Sequence, residues 1–143
     1  MTKPAADGDN PPITGPVMGL LAVVGVEALA MVAVTGLLIF DTVTQPVHSL
    51  SSTIALIVLT AIAAAFLLAI LRGIIGAQSW TRGATLVWQV LQLAAAVVVL
   101  QGDIAAPLGW VFALLSLAGL LLVFSPAVTA RLRHADRDED AGR

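Results

Sequence analysis

Four long, nearly unbroken apolar blocks constrain this chain more than anything else in it. They run at about 17–40, 52–71, 83–101 and 108–124. Each is near the ~17–25 residues a helix needs to cross the hydrocarbon core of a bilayer, the fourth at the short end. The blocks are continuous and do not alternate with period two, which argues against a membrane β-barrel. Only 11% of the 143 residues are charged, against roughly 25% in a soluble domain. A soluble chain of this length has no interior large enough to hide four such blocks. The expected fold class is therefore all-α: a four-transmembrane-helix bundle forming one domain over 17–124, with polar tails at 1–16 and 125–143.

The tails and loops supply the orientation. The first tail carries Pro4, Pro11, Pro12 and Pro16 and too little apolar surface to form a core. Ala28-Leu-Ala30 has the small-x-small look of a signal cleavage site, but apolar residues continue beyond it to Phe40, so the first span is expected to be retained. The segment from Arg131 to Asp140 mixes both signs of charge and reads as a solvated, frayed end; the alternative is a surface helix with Arg131 and Arg133 on anionic headgroups. All seven Lys and Arg fall in the two tails or the second loop, whereas the first and third loops carry Asp41 and Asp103. This bias places both termini and the second loop in the cytoplasm of a multi-pass plasma-membrane protein.

Helical plotting suggests how the spans pack. Gly15, Ala22, Gly25, Ala33 and Gly36 share one face of the first span; Ala61, Ala65 and Ala69 share one of the second, and Gly109, Ala113 and Ser116 one of the fourth. Small residues let helix backbones approach closely in lipid, so these faces are the expected seams. The third span differs: Thr85, Gln89, Gln92 and Ala96 form a polar stripe flanked by Trp88, which is expected to pack. Trp80, Arg82 and Trp110 suit the membrane–water interface as anchors. Pro16 suits a helix start, Gln45-Pro46 a helix end, and Ser51 or Ser52 a cap for the second helix; Ser125-Pro126 ends the fourth span or starts a new helical turn.

Glu27 is the sharpest chemical signal. An ionisable residue at bilayer depth is costly and is a functional hypothesis by default. No Lys or Arg lies within another span at that depth, so its partners must be amides and hydroxyls. The first and third spans run in the same direction, and counting residues from their cytoplasmic starts puts Glu27 and Gln92 within about one turn of the same depth. One reading is a neutral acid bonded to glutamine as helix glue; another is a proton-coupled site with Glu27 as carrier and Gln89 or Gln92 orienting it. A third is contact with another subunit, since Glu27 plots opposite the small-residue face of its helix. The candidate intramembrane polar site is thus Glu27, Thr85, Gln89 and Gln92.

Other chemistries find little footing. The chain has no cysteine, and His48 and His134 are isolated from other metal ligands, so no metal or cofactor is expected. No hydroxyl, histidine and acid form a triad-like set. Gly73 and Gly76 lack the Lys-Ser/Thr pair of a phosphate-binding loop. A basic stripe with interleaved aromatics, the mark of nucleic-acid binding, is missing.

The run Arg72-Gly73, Trp80-Thr-Arg82, Trp88-Gln89, Gln92-Leu93, Gln101-Gly102, Pro107-Leu108 and Phe124-Ser-Pro126 resembles a functionally uncharacterised family of small four-helix integral membrane proteins of actinobacteria. The resemblance covers the second half of the chain and implies a four-span topology, with no activity or site. An acidic residue midway along the first of four helices is also similar to the small multidrug resistance exporters, where a membrane Glu binds cationic drugs and protons in turn. This chain departs from them in its length, its two tails, its complete charge bias and the lack of their aromatic residues around the Glu. The expected role is a non-enzymatic structural or accessory membrane component, partnered by the lipid bilayer and by a second copy or another membrane protein. The alternative is a proton-coupled exporter of small molecules using Glu27.

Overall fold

The computed structural model describes residues 12–46, 49–102 and 106–132. The expectations for the first tail up to residue 11, for His48 and Asp103, and for the charged segment from Arg133 onward lie outside the described residues. Four long helices dominate: α1 Gly15–Thr44, α2 Leu50–Ile75, α3 Trp80–Leu100 and α4 Ala106–Val123. Each is long and apolar enough to cross a membrane, and the chain is a multi-span membrane protein with an all-helical fold.

The helix ends follow from local chemistry. Proline stands in the first turn of α1, and the helix stops where Gln45 turns extended ahead of Pro46. Ser49 takes the N-cap position of α2, not Ser51 or Ser52; the three hydroxyls bond among themselves and none caps a backbone N–H. At the end of α2 the Gln78 N–H bonds the Gly73 carbonyl at 2.8 Å and the Ala77 N–H bonds that of Ile74 at 3.2 Å. This is the paired-bond stop that needs one left-handed residue, here Ala77 at φ 51°. It turns the chain sharply into α3, so α2 and α3 meet tightly: a Cβ on Gly73 would collide with the Thr81 side chain.

The helices form a ring in which α1 neighbours α2 and α4, and α3 neighbours α4 and α2. The closest approaches are within the hairpins α1–α2 and α3–α4, leaving α1 and α3 diagonal to one another. The apolar core is Val17, Leu20, Val24, Ala28, Leu67, Ile70, Ile74, Val123, Val128 and Leu132. All of it lies toward the end of the bundle that holds the start of α1 and the finish of α4, here called the terminal end. Toward the far end, no residue of α1 after Ala28 and none of α2 before Ala64 is buried.

Two expected seams do not close. Gly15, Ala22, Ala33 and Gly36 are exposed, as are Ala61, Ala65 and Ala69; α1 and α2 instead bury Val17, Leu20, Val24, Glu27, Ala28 and Ala64, Leu67, Ile70, Gly73, Ile74. The reason lies in Glu27. Small residues can face lipid at no cost, whereas a carboxyl group cannot, so α1 turns its Glu27 face inward and its glycine face outward. On α4 the small-residue face does close, with Gly109, Ser116 and Gly119 buried.

A fifth, short helix over 126–132 follows α4. The Ser125 hydroxyl accepts from the Val128 N–H at 3.4 Å, and Pro126 opens the helix. Val128 and Leu132 enter the core, and Arg131, only 4% exposed, donates to the Ile75 carbonyl at 3.0 Å. A cation at the C-terminus of α2 meets its unpaired carbonyls and the negative end of its dipole. Arg131, expected to belong to a frayed end, is instead helical and buried: apolar Val128 and Leu132 draw this turn under the bundle.

Candidate functional site

Three side chains of α3 converge on Glu27. The Trp88 indole Nε1 donates to Glu27 Oε2 at 3.0 Å, Gln92 Nε2 donates to Oε1 at 3.0 Å, and Gln89 Nε2 lies 3.2 Å from both oxygens. The indole also reaches Gln92 Oε1 at 3.1 Å. Glu27 is 4% exposed and Gln89 fully buried. Positions 88, 89 and 92 share one face of α3 because residues three and four apart are neighbours on a helix. The expected match in depth between Glu27 and Gln92 is realised across the diagonal of the ring.

Gly119 of α4 makes room for this arrangement. A Cβ there would stand 2.5 Å from Gln89 Cδ and 2.6 Å from its Nε2. Only glycine lets α4 pass behind the amide and hold it against Glu27. Gln89 Oε1 and Ser116 Oγ, both buried, have no protein partner. Trp88 is held from its other side by Phe66 of α2, with ring centroids 6.2 Å apart and planes tilted by 49°.

The donor set has a definite chemistry. A carboxylate offers about four lone-pair positions, and the four N–H contacts fill that number. All the partners present nitrogen donors, which suits an acceptor-only group. The glutamines are ambivalent, because turning either amide would offer its oxygen to a carboxyl O–H. The indole can only donate, and so commits Oε2 to accepting.

Two small hollows lie around Gln92, and only the smaller is lined by Glu27. One, of about 30 Å³, is lined by Glu27 with Val26, Ala30, Met31, Gln92, Phe112 and Leu115. The other, of about 140 Å³, lies between Met31, Trp88, Leu91, Gln92, Ala95 and Phe112. Met31, Gln92 and Phe112 are common to both and form the wall they share. Their walls otherwise carry only hydrocarbon and aromatic rings.

Of the residues singled out from sequence, Glu27, Gln89 and Gln92 come together. Thr85 does not join them: it is buried beneath the cluster and its hydroxyl bonds the Thr81 carbonyl at 2.7 Å. Glu27 does not point away from the bundle as plotting against the small-residue face suggested. Trp88, expected only to pack, both packs and donates. Its spacing of four from Gln92 was the available signal; Gly119, one turn beyond Ser116 on the small-residue face of α4, was the other. Trp80 starts α3 with its indole on Gln78 Oε1 at 2.7 Å, Arg82 is half-buried beside it, and Trp110 stands exposed near the opposite end. These positions suit the two interfacial belts. Among the described residues no group of three or more His, Cys, Asp and Glu gathers to hold a metal. Comparison of the chain with protein families, with curated proteins and with solved structures found no match.

Proposed function

We propose that this is a non-enzymatic structural or accessory protein of the plasma membrane, with both termini cytoplasmic, and that Glu27 is the clamp that joins its two hairpins. The observation that carries this reading is the filling of the Glu27 acceptor positions by N–H groups of the same chain. A carboxyl group so occupied is a fastening. Each interhelical hydrogen bond in a membrane contributes roughly 0.6–2 kcal/mol, so three partners together fix how α1 meets α3. Kinship with the small four-span actinobacterial proteins belongs to the same proposal. Its test is the pair Glu27→Gln and Glu27→Leu. The amide keeps bonding capacity and should hold cellular function and stability together, while the leucine should lose both. Full stability with lost function in Glu27→Gln would refute the clamp as the main role.

A second reading, a proton-coupled exporter of small cations, is favoured by one observation: a small apolar hollow adjoins Glu27, with Phe112 in its wall and the Trp88 indole on the carboxyl group. It requires pH-dependent cation binding by the reconstituted protein. Absence of binding to a broad panel between about pH 5 and 8, the range in which a proton-exchanging group works, would remove it.

A further inference from the structure

We propose that the far end of α1 recognises the ammonium headgroup of an aminophospholipid, seated on the Asp41 carboxylate with its acyl chain lying along Leu38, Leu37 and Val34. The site is separate from Glu27 and does not depend on the clamp.

Depth places Asp41 in the bilayer. From Trp80 to Leu100, α3 rises about 30 Å at 1.5 Å per residue, and Leu100 stands against Gly109, the neighbour of Trp110. The two tryptophans therefore lie about as far apart as the ~30 Å hydrocarbon core is thick. Glu27 is level with Gln89 and Gln92, about 15 Å above Trp80. Asp41 follows Glu27 by 14 residues on the same helix (27 to 41), which adds about 21 Å. It thus stands about 6 Å beyond the level of Trp110, within the headgroup layer.

The turn that carries Asp41 presents acceptors. It is the last turn of α1, the negative end of the helix dipole, and it holds no basic residue. The Thr42 and Thr44 hydroxyls donate to the Leu38 and Phe40 carbonyls at 2.6 and 2.8 Å, and the Gln45 N–H donates to the Asp41 carbonyl. Helical pairing would give the Thr42 carbonyl the N–H four residues on, but that residue is Pro46, which has none. Among the described residues the Asp41 carboxylate makes no ion pair or hydrogen bond. No Lys or Arg occurs between Lys3 and Arg72 or between Arg82 and Arg131, so the chain brings no such cation to this end. A second copy in the same orientation would bring only the same acceptors.

An ammonium group offers N–H donors and no acceptor, and its charge suits both the carboxylate and the helix end. A choline headgroup has the charge without the donors. Beneath Asp41 the surface turns apolar. Val34, Leu37, Leu38 and Asp41 recur at intervals of three and four and share one face, and with Phe40 they line a shallow hollow of about 330 Å³. No residue of α1 beyond Ala28 is buried, so this face is open to lipid. Polar above and hydrocarbon below is the order of groups in a phospholipid.

The test loads the full chain into nanodiscs of phosphatidylethanolamine, phosphatidylcholine and phosphatidylglycerol in equal parts, with one acyl composition, and counts the lipids retained on the released protein by native mass spectrometry. Phosphatidylethanolamine should be enriched about fivefold over phosphatidylcholine, the upper range of an exposed ion pair. Asp41→Asn should abolish the enrichment and Asp41→Glu preserve it, with retention of phosphatidylglycerol, drawn by the arginines of the terminal end, unchanged in both. Val34→Trp, which fills the hollow and leaves the carboxylate in place, should abolish it too. Both positions are exposed, so these changes leave the Glu27 layer and the fold intact. Equal retention of the two zwitterionic lipids, or an enrichment that survives Asp41→Asn or Val34→Trp, would overturn the site. A dimer that Asp41→Asn dissolves, with no enrichment of phosphatidylethanolamine, would overturn it in favour of a second copy.

Discussion

In the terminal half of the bundle, Leu20, Val24, Leu67, Ile70, Ile74 and Val123 are at most 1% exposed, and a short helix closes the end beneath them. In the far half, Leu37, Val43, Leu59 and Ile62 are each more than 60% exposed, and no residue of α1 after Ala28 or of α2 before Ala64 is buried. The composition of the two halves is alike; what differs is whether side chains interlock. Lipid tails are as apolar as leucine, so hydrocarbon alone does not draw helices together in a bilayer, and shape and hydrogen bonds must. The terminal half has shape. The Glu27 layer, at the boundary, supplies the hydrogen bonds. Above it α1 and α2 bury no residue.

Substitutions that invade the boundary should do the most damage. Gly119→Val would push a branched side chain into Gln89 and is expected to cost about 3 kcal/mol, the upper range for overpacking a filled interior, measured by steric-trap unfolding in bicelles. A cost below ~1 kcal/mol would mean that α4 does not press on the amide. Next comes Leu67→Ala. Lipid removes the transfer share of the usual loss, leaving the cavity share of about 1–2 kcal/mol. Trp88→Phe keeps the ring against Phe66 and removes its hydrogen bonds, for an expected loss of about 0.6–1.7 kcal/mol by the same unfolding assay. Leu37→Ala, in the open half, should change stability by less than ~0.5 kcal/mol, as surface substitutions do; a loss matching that of Leu67→Ala would erase the distinction between the halves.

Much of this was legible in the chain. Block lengths announced four helices, Pro16 and Pro46 marked the limits of α1, and residue counting matched Glu27 to Gln92 in depth. The rotation of α1 and α2 was not legible, because two signals on α1 pointed in opposite directions. Small residues mark a face that can be buried, whereas a carboxyl group marks one that must be, and the stronger demand prevailed. Gly119 escaped notice because a glycine matters here through an amide arriving from another helix. A new helical turn at Ser125-Pro126 was one of two readings open in the chain, but the burial of Val128, Arg131 and Leu132 was not legible, because the charge content from Arg131 onward pointed to a solvated end.

The most direct test of Glu27 as an internal acceptor uses the three tryptophans of the chain. Their indole N–H resonances, assigned by single Trp→Phe variants, would be recorded in lipid nanodiscs for the native chain and for Glu27→Gln. The structure requires the Trp88 resonance to move strongly while those of Trp80, bonded to Gln78, and Trp110, exposed at the opposite end, stay in place. A Trp88 resonance that does not respond to the loss of the Glu27 carboxyl group would contradict the clamp and the site built on it.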